Sequence, residues 1–339
     1  MKICSGAACR RLLAIISILL AGQPFAAVAS DRPPFDLPLN CNLGATCWVM
    51  NYVDHDGSKA VADSACGPRS YDGHKGTDFA VRDLAQMQRG VDVRAIATGT
   101  VLRLRNNIAE HGLSFSAEKI KGRECGNGIV IRHAGVWESQ YCHLRRGSIW
   151  VTQGDVVARG EAIGRVGMSG RTAFPYLHLA LRKDGQIVDP VNGRRQGQGC
   201  GLPGKPLFKS VANVRYQHSR LYAAGFAPAM PSGAGIKTNA ASPPVIKRNA
   251  KALVFWAALF SVAKGSTLQL TIKMPDGSDF ITKDIAITRN QAWRMVYIGR
   301  KRRVGKSWPP GRYRGVAKLL SGTDTDKTPQ TQQISVDTP

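Results

Sequence analysis

Between residue 41 and about residue 206 the chain seldom keeps an apolar period near 3.6; short apolar runs alternate with glycines and turn dipeptides. A helix needs a stripe repeating at roughly 3.6 residues, whereas a half-buried strand needs only alternation over a few positions. This stretch therefore predicts a mainly β domain. Residues 128–132, 149–152 and 162–166 read as strands, with Gly154-Asp155 and Asp184-Gly185 as turns. Past residue 245 the style recurs. Residues 252–260 read as a buried strand, Leu268, Leu270 and Ile272 alternate with polar residues, Pro275-Asp276-Gly277 turns the chain, and further runs lie at Ile285, Trp293 and 313–320. That spacing predicts a small β-sandwich.

Lys2, Arg10 and Arg11 flank an apolar run over 12–21, and Ala27-Val28-Ala29 follows, the order of a cleavable export signal. Residues 1–29 are expected to be removed. The run is too short to span a bilayer, so no stable membrane insertion is expected, and no cysteine stands at the cleavage point to carry a lipid. The remaining length of about 310 residues suits two domains. The expected plan is a Cys-containing N-terminal segment (30–69), a β domain (70–205), a Pro- and Gly-rich linker (206–245) with a short helix near 211–224, and an accessory β-sandwich (246–339).

Export places the chain in the periplasm or cell envelope, an oxidising setting in which Cys41, Cys47, Cys66, Cys125, Cys142 and Cys200 read as a disulfide framework. Their pairing is open, although Cys41 and Cys47 stand near enough to close a small loop. The formal charge is +24, and removing Lys2, Arg10 and Arg11 leaves +21. Such a field favours anionic partners and weakens with salt. With no helix-turn-helix or aromatic RNA-binding signature, nucleic acid is not expected as a partner; anionic envelope polymers are.

His74, Asp78 and His178 offer the chemistry of a metal site. A divalent metal poised for hydrolysis takes about three protein ligands and leaves a position open, which two imidazoles and a carboxylate satisfy. Gly73 and Gly76 flank His74, and Asp78-Phe79-Ala80-Val81 is β-like, so a loop entering a strand is expected. Over 174–181 a period of two puts Tyr176 and His178 on one face and Leu177 and Leu179 on the core side. Taken alone, a His and an Asp four apart more often form a surface pair.

The ordered set is more specific. Gly73-His74-Lys75-Gly76-Thr77-Asp78, Tyr141-Cys142-His143-Leu144, Gly167-Met168-Ser169-Gly170-Arg171-Thr172, Phe174-Pro175-Tyr176-Leu177-His178-Leu179 and Asp184-Gly185-Gln186-Ile187-Val188-Asp189-Pro190 follow one another. Over roughly residues 70 to 191 the chain resembles the lysostaphin-type (LytM-like) zinc metallopeptidases, which cut peptide bonds of bacterial peptidoglycan. The resemblance implies a lysostaphin-type β-sheet domain, ahead of the small β-sandwich expected from strand spacing, with zinc as cofactor and peptidoglycan as partner. It implies His74, Asp78 and His178 as zinc ligands and His143 as general base or transition-state partner. Where the family has the first His of a His-x-His pair, this chain has Tyr176. A phenol cannot accept a proton as imidazole does, but it can donate a hydrogen bond to an oxyanion. A slower or differently tuned endopeptidase is therefore expected; the rival is a zinc-binding but inactive wall-binding or amidase-regulating module.

The other histidines read as structural. His133 falls at a strand end, His55 in Asp54-His55-Asp56 suits a turn or surface role, and His111 lies in a polar insertion. In the C-terminal half, Arg300-Lys301-Arg302-Arg303 and Trp308 are candidates to grip an anionic polymer, or else a solvated turn.

Overall fold

The computed structural model describes residues 32–110, 120–201, 204–209, 216, 219–241, 243, 245–320 and 329–339. Residues 1–29, expected as an export signal, and His111 lie outside them. Strand β1 (Cys47–Asn51) is followed by β2 (Thr77–Val81), helix α1 (Leu84–Arg89), β3 (Asp92–Arg94), β4 (Gly99–Arg105) and β5 (Asn127–His133). Then come β6 (Trp137–Leu144), β7 (Val156–Val157), β8 (Ala162–Arg165), β9 (Tyr176–Lys183) and β10 (Gln186–Val188). The main sheet runs β1-β2-β9-β6-β5-β4-β7, with β10 beside β9, and β3 and β8 form a separate ribbon.

Alternation decides what each face of this sheet meets. Cys47 and Val49 of β1, Phe79 and Val81 of β2, and Leu177, Leu179 and Leu181 of β9 enter one apolar core. The intervening positions face the other way. Phe35 and Leu39 from the N-terminal segment enter the same core and β1 pairs with β2, so the segment before residue 70 shares one sheet and one core with the strands that follow it. Residues 149–152, expected as a strand, have no regular structure: Ile149 and Val151 still bury their side chains, and apolar alternation reports burial before it reports backbone pairing.

Three disulfides join Cys41 to Cys47, Cys66 to Cys200 and Cys125 to Cys142. The Cys66–Cys200 bridge closes a span of 134 residues and ties the N-terminal segment to the chain beyond β10.

The C-terminal elements are β11 (Arg220–Ala227), α2 (Gly233–Thr238), β12 (Ala252–Val262), β13 (Thr267–Lys273), β14 (Asp279–Ala286), β15 (Gln291–Lys301), β16 (Gly311–Leu320) and β17 (Gln330–Thr338). They form a three-stranded sheet, β11-β12-β15, and a four-stranded sheet, β14-β13-β16-β17. Leu253, Phe255, Ala257 and Leu259 of β12 meet Leu268, Leu270 and Ile272 of β13 in the core between them. The stretch 206–245 thus contains strand β11 and helix α2, and the described part of the helix expected near 211–224 is extended. Leu221-Tyr222-Ala223-Ala224 suits either backbone by propensity; pairing with β12 decides it.

Strand β12 is buried along its whole length because it is covered on both faces, and such strands read as continuous apolar runs. Its second face, with Trp256, Ala258 and Phe260, packs on Trp48 and Met50 of β1, Ala80 of β2, Phe174 and Tyr176. Tyr222 of β11 stacks on Phe260 at 4.0 Å between ring centroids and meets Trp48 edge-on. Ser261 Oγ donates to the Met50 carbonyl at 2.5 Å, and the Ala240 amide donates to Asp83 at 2.9 Å. The C-terminal sheet therefore covers part of the main sheet's second face and leaves the rest open. Among the described residues no helix is long and apolar enough to cross a membrane.

Candidate active site

On the open part of that face one row of residues crosses four strands. Asn51 of β1 is opposite Asp78 of β2, Asp78 opposite His178 of β9, and His178 opposite Cys142 of β6. Direct cross-strand partners hold their Cβ atoms about 5 Å apart, close enough for shared chemistry. The hundred residues between Asp78 and His178 are thus bridged by strand register.

His74 reaches the row from the loop before β2. The Asp54 carboxylate accepts from the Gly73 amide at 3.0 Å, and Gly73, at φ 70, takes the left-handed turn that aims the next residue inward. The Tyr71 ring stacks on the imidazole at 4.2 Å. His74 Nδ1 donates to the Tyr52 carbonyl at 2.6 Å, which leaves Nε2 with its lone pair. That atom lies 3.1 Å from Asp78 Oδ1 and 3.1 Å from His178 Nδ1, while His178 Nδ1 lies 2.9 Å from Asp78 Oδ1.

One ligand atom from each of these three residues lies within 4.8 Å of the others. A lone-pair nitrogen, a second ring nitrogen and a carboxylate oxygen converge, and only a cation or shared protons stabilise that arrangement. Two imidazoles with one carboxylate fit a borderline-soft divalent ion such as zinc. The second Asp78 oxygen accepts from Asn51 Nδ2 at 2.9 Å, which orients the carboxylate. Burial works against the Asp78 charge, but the neighbouring His74 and then His178 hold its carboxyl well below the usual carboxylate range. Burial likewise opposes charge on His74, yet Asp78 raises it above an ordinary imidazole overall.

Gly76 is required by proximity. A Cβ there would stand 2.6 Å from His178 Cε1 and 2.6 Å from the Leu179 carbonyl oxygen. Since the second contact is backbone, Gly76→Ala is expected to displace β9 locally, lowering stability by about 1–3 kcal/mol and weakening metal binding. Thermal melts and zinc titration of the variant check both.

His143 reaches the cleft through an irregularity of β6. Trp137 and Tyr141 point into the core and Gln140 and Cys142 toward the cleft, so strict alternation would send His143 inward. The register shifts here: Tyr141 pairs with Ile129 but Leu144 with Asn127, so β6 carries one extra residue. His143 takes φ 66, a conformation rare for non-glycine residues, and turns onto the face of Cys142. Its amide donates to the Cys125 carbonyl at 2.8 Å, beside the Cys125–Cys142 disulfide. Its Nδ1 donates to the Ser169 carbonyl at 2.8 Å, which leaves Nε2 as an acceptor. Burial, and then the neighbouring His178, pushes this imidazole down to about 4, so it is neutral at neutral pH.

The Tyr176 ring meets His143 edge-on at 4.8 Å. Its hydroxyl donates to the Arg171 carbonyl at 3.5 Å, the outer limit of a hydrogen bond. Burial, followed by the Asp78 charge, pushes the phenol well above its ordinary value. A cavity of about 710 Å³ opens over these residues; Tyr71, His143, Tyr176 and His178 line it from the sheet domain, and Lys237 and Trp293 from the C-terminal elements.

Sequence reasoning missed Asn51, Tyr52 and Tyr71. The one signal for Asn51 was a polar side chain ending the apolar run Cys47-Trp48-Val49-Met50. His55 is not a surface residue: it is buried, with Nε2 3.2 Å from Asp189. The Cys66–Cys200 bridge helps hold the segments that carry these two groups together. His133 is structural, its Nδ1 3.0 Å from the Thr98 carbonyl and its Nε2 2.7 Å from Ser139 Oγ.

Among curated proteins the chain is similar to the DD-carboxypeptidase/endopeptidase Mpg of Neisseria meningitidis serogroup B, at 36% identity over 35% of this chain and 22% of that protein. It is also similar to the peptidoglycan DD-endopeptidase ShyA of Vibrio cholerae, at 30% identity over 41% of this chain and 27% of the relative. The chain thus spans about a quarter of the length of these relatives. A crystal structure of a zinc-containing peptidase from Vibrio cholerae matches at 22% identity and a TM-score of 0.29, covering 47% of this chain and 38% of that one. The model of peptidase family M23 matches residues 72–190, the stretch that carries His74, Asp78, His143, Tyr176 and His178. Residues 72–190 of this chain form a peptidase family M23 domain of the LytM type.

Proposed function

We propose that the chain is a zinc-dependent metalloendopeptidase that hydrolyses peptide bonds in the stems or cross-links of peptidoglycan, acting in the periplasm or cell envelope during wall remodelling. The observation that carries this reading is the convergence of His74 Nε2, Asp78 Oδ1 and His178 Nδ1 beside an open cleft that His178 and His143 line. The similarity to wall endopeptidases supports it.

His74, Asp78 and His178 would hold the ion. Zinc there would supply Lewis acidity, polarising the scissile carbonyl and acidifying a water molecule. His143 Nε2, unprotonated because Nδ1 donates to Ser169, takes the proton of the attacking water and passes it to the leaving amine. Tyr176 donates its O–H to the carbonyl oxygen as negative charge develops there. Its long contact to Arg171 holds that proton weakly, so a stronger acceptor captures it. A phenol with a raised pKa has no proton-accepting role here, and this chain is slower than one with two imidazoles flanking the carbonyl.

Digestion of purified sacculi by wild type and Tyr176→His tests the reading. Zinc-loaded wild type is expected to release muropeptides, with the variant faster by about 10- to 100-fold. Stoichiometric zinc without release by wild type, together with release by the variant, overturns the enzyme reading and leaves a zinc-holding wall-binding module.

A further inference from the structure

The M23 domain does not close its own cleft. Helix α2 and strand β15 bring Lys237 and Trp293 to the wall beyond Tyr176 and Phe174. Both are held in place. Trp293 Nε1 donates to Tyr222 Oη at 2.8 Å, Tyr222 is locked against Phe260 in the interdomain core, and Lys237 Nζ lies 4.9 Å over the Trp293 ring. Ser232 caps α2 and Ile236 anchors it in the same core, so Lys237 stands on a fixed backbone. Among the described residues no carboxylate pairs with Lys237.

The cleft as a whole carries an excess of positive charge: Lys75, Arg171, Arg182 and Lys237 line it against Asp72 and Glu124. On the far side of Trp293 a second depression is lined by Arg289 and Arg294. A half-buried ammonium on an aromatic plate, at the rim of a cationic cleft, suits a carboxylate beside an aliphatic peptide segment.

We propose that Lys237 and Trp293 form a substrate subsite supplied by the C-terminal domain, in which Lys237 binds a free carboxylate of the peptide arm while its backbone lies along Trp293. This rests on the peptidoglycan reading of the cleft and adds to it which end of the cleft reads charge. The C-terminal domain is then part of the substrate-binding surface, and a peptide whose carboxylates are blocked is a poor ligand.

The test is equilibrium binding of a soluble cross-linked stem-peptide dimer, with free or fully amidated carboxylates, to the metal-stripped full-length chain, where no turnover occurs. The free acid is expected to bind wild type with an affinity that falls as salt rises. Amidation of the ligand or Lys237→Gln should each weaken binding roughly five- to twentyfold, the two losses should not add, and Lys237→Arg should keep most of the affinity. Equal binding of both ligands by wild type and Lys237→Gln, or no binding by wild type at millimolar peptide, overturns the subsite. Steady-state kinetics of the zinc-loaded proteins separate the two claims. Carboxylate-dependent binding without cleavage keeps the subsite and sinks the peptidase; cleavage with the same KM in wild type and Lys237→Gln does the reverse.

Discussion

Asp78→Ala is expected to strip the chain of zinc and to lower turnover on the order of a thousandfold or more, the scale of removing a metal's charge stabilisation from hydrolysis. Asp78 is the centre of the cluster, since one oxygen faces both imidazoles while the other accepts from Asn51. Asp78→Asn keeps the shape but removes the charge, so its zinc content tests electrostatics apart from packing. Elemental analysis and activity are expected to fall together in both variants. The same cluster sets a pH dependence. Asp78 raises the His74 pKa above that of free imidazole, so protons compete with the metal up to a higher pH than at an isolated histidine. Zinc affinity is expected to rise with pH through neutrality and to level once His74 is neutral. The acid limb of activity should move to lower pH as zinc is raised, and calorimetry in buffers of different ionisation enthalpy should detect proton release on binding.

The second large effect falls on His143. His143→Asn is expected to lower kcat about 10²- to 10⁴-fold with zinc content unchanged, because His143 offers no atom to the cluster of His74, Asp78 and His178. Asparagine is the informative replacement: position 143 has φ 66, which asparagine tolerates and alanine does not. His143→Ala would mix lost chemistry with a strained bulge, and only the alanine variant should show a lowered melting temperature. Its neighbour sharpens the expectation. Reducing the Cys125–Cys142 bridge loosens the two segments that grip His143 through its amide and its bulge, so reductant should lower kcat more than zinc content.

Local periodicity made the strands around the site legible. Alternation in residues 174–181 puts Tyr176 and His178 opposite Leu177 and Leu179, and in β9 the leucines do enter the core. Gly73 and Gly76 marked the loop before β2 for the same local reason, a turn and a close approach. What stayed hidden depends on partners far along the chain. The bulge that turns His143 outward is a property of the β5–β6 pairing and leaves no trace in Tyr141-Cys142-His143-Leu144 itself. Asn51 matters because β1 lies beside β2, a fact of register. His55, expected at a turn or the surface, is buried because Asp189 arrives from 134 residues away. The prolines and glycines of 206–245 looked like a linker since nothing local says that Tyr222 and Ala223 of β11 face Trp48 and Tyr176.

Activity depends on whether His74, Asp78 and His178 hold a metal that the cleft uses. The measurement that tests it most directly is hydrolysis of a cross-linked stem-peptide dimer by the purified chain, metal-free and then titrated with zinc, with bound zinc counted in the same samples. The expected result is no cleavage without metal, activity rising in proportion to occupancy and saturating at one zinc per chain, and neither zinc binding nor cleavage in Asp78→Ala. Cleavage that survives metal removal, or one tightly held zinc in Asp78→Ala, would contradict it.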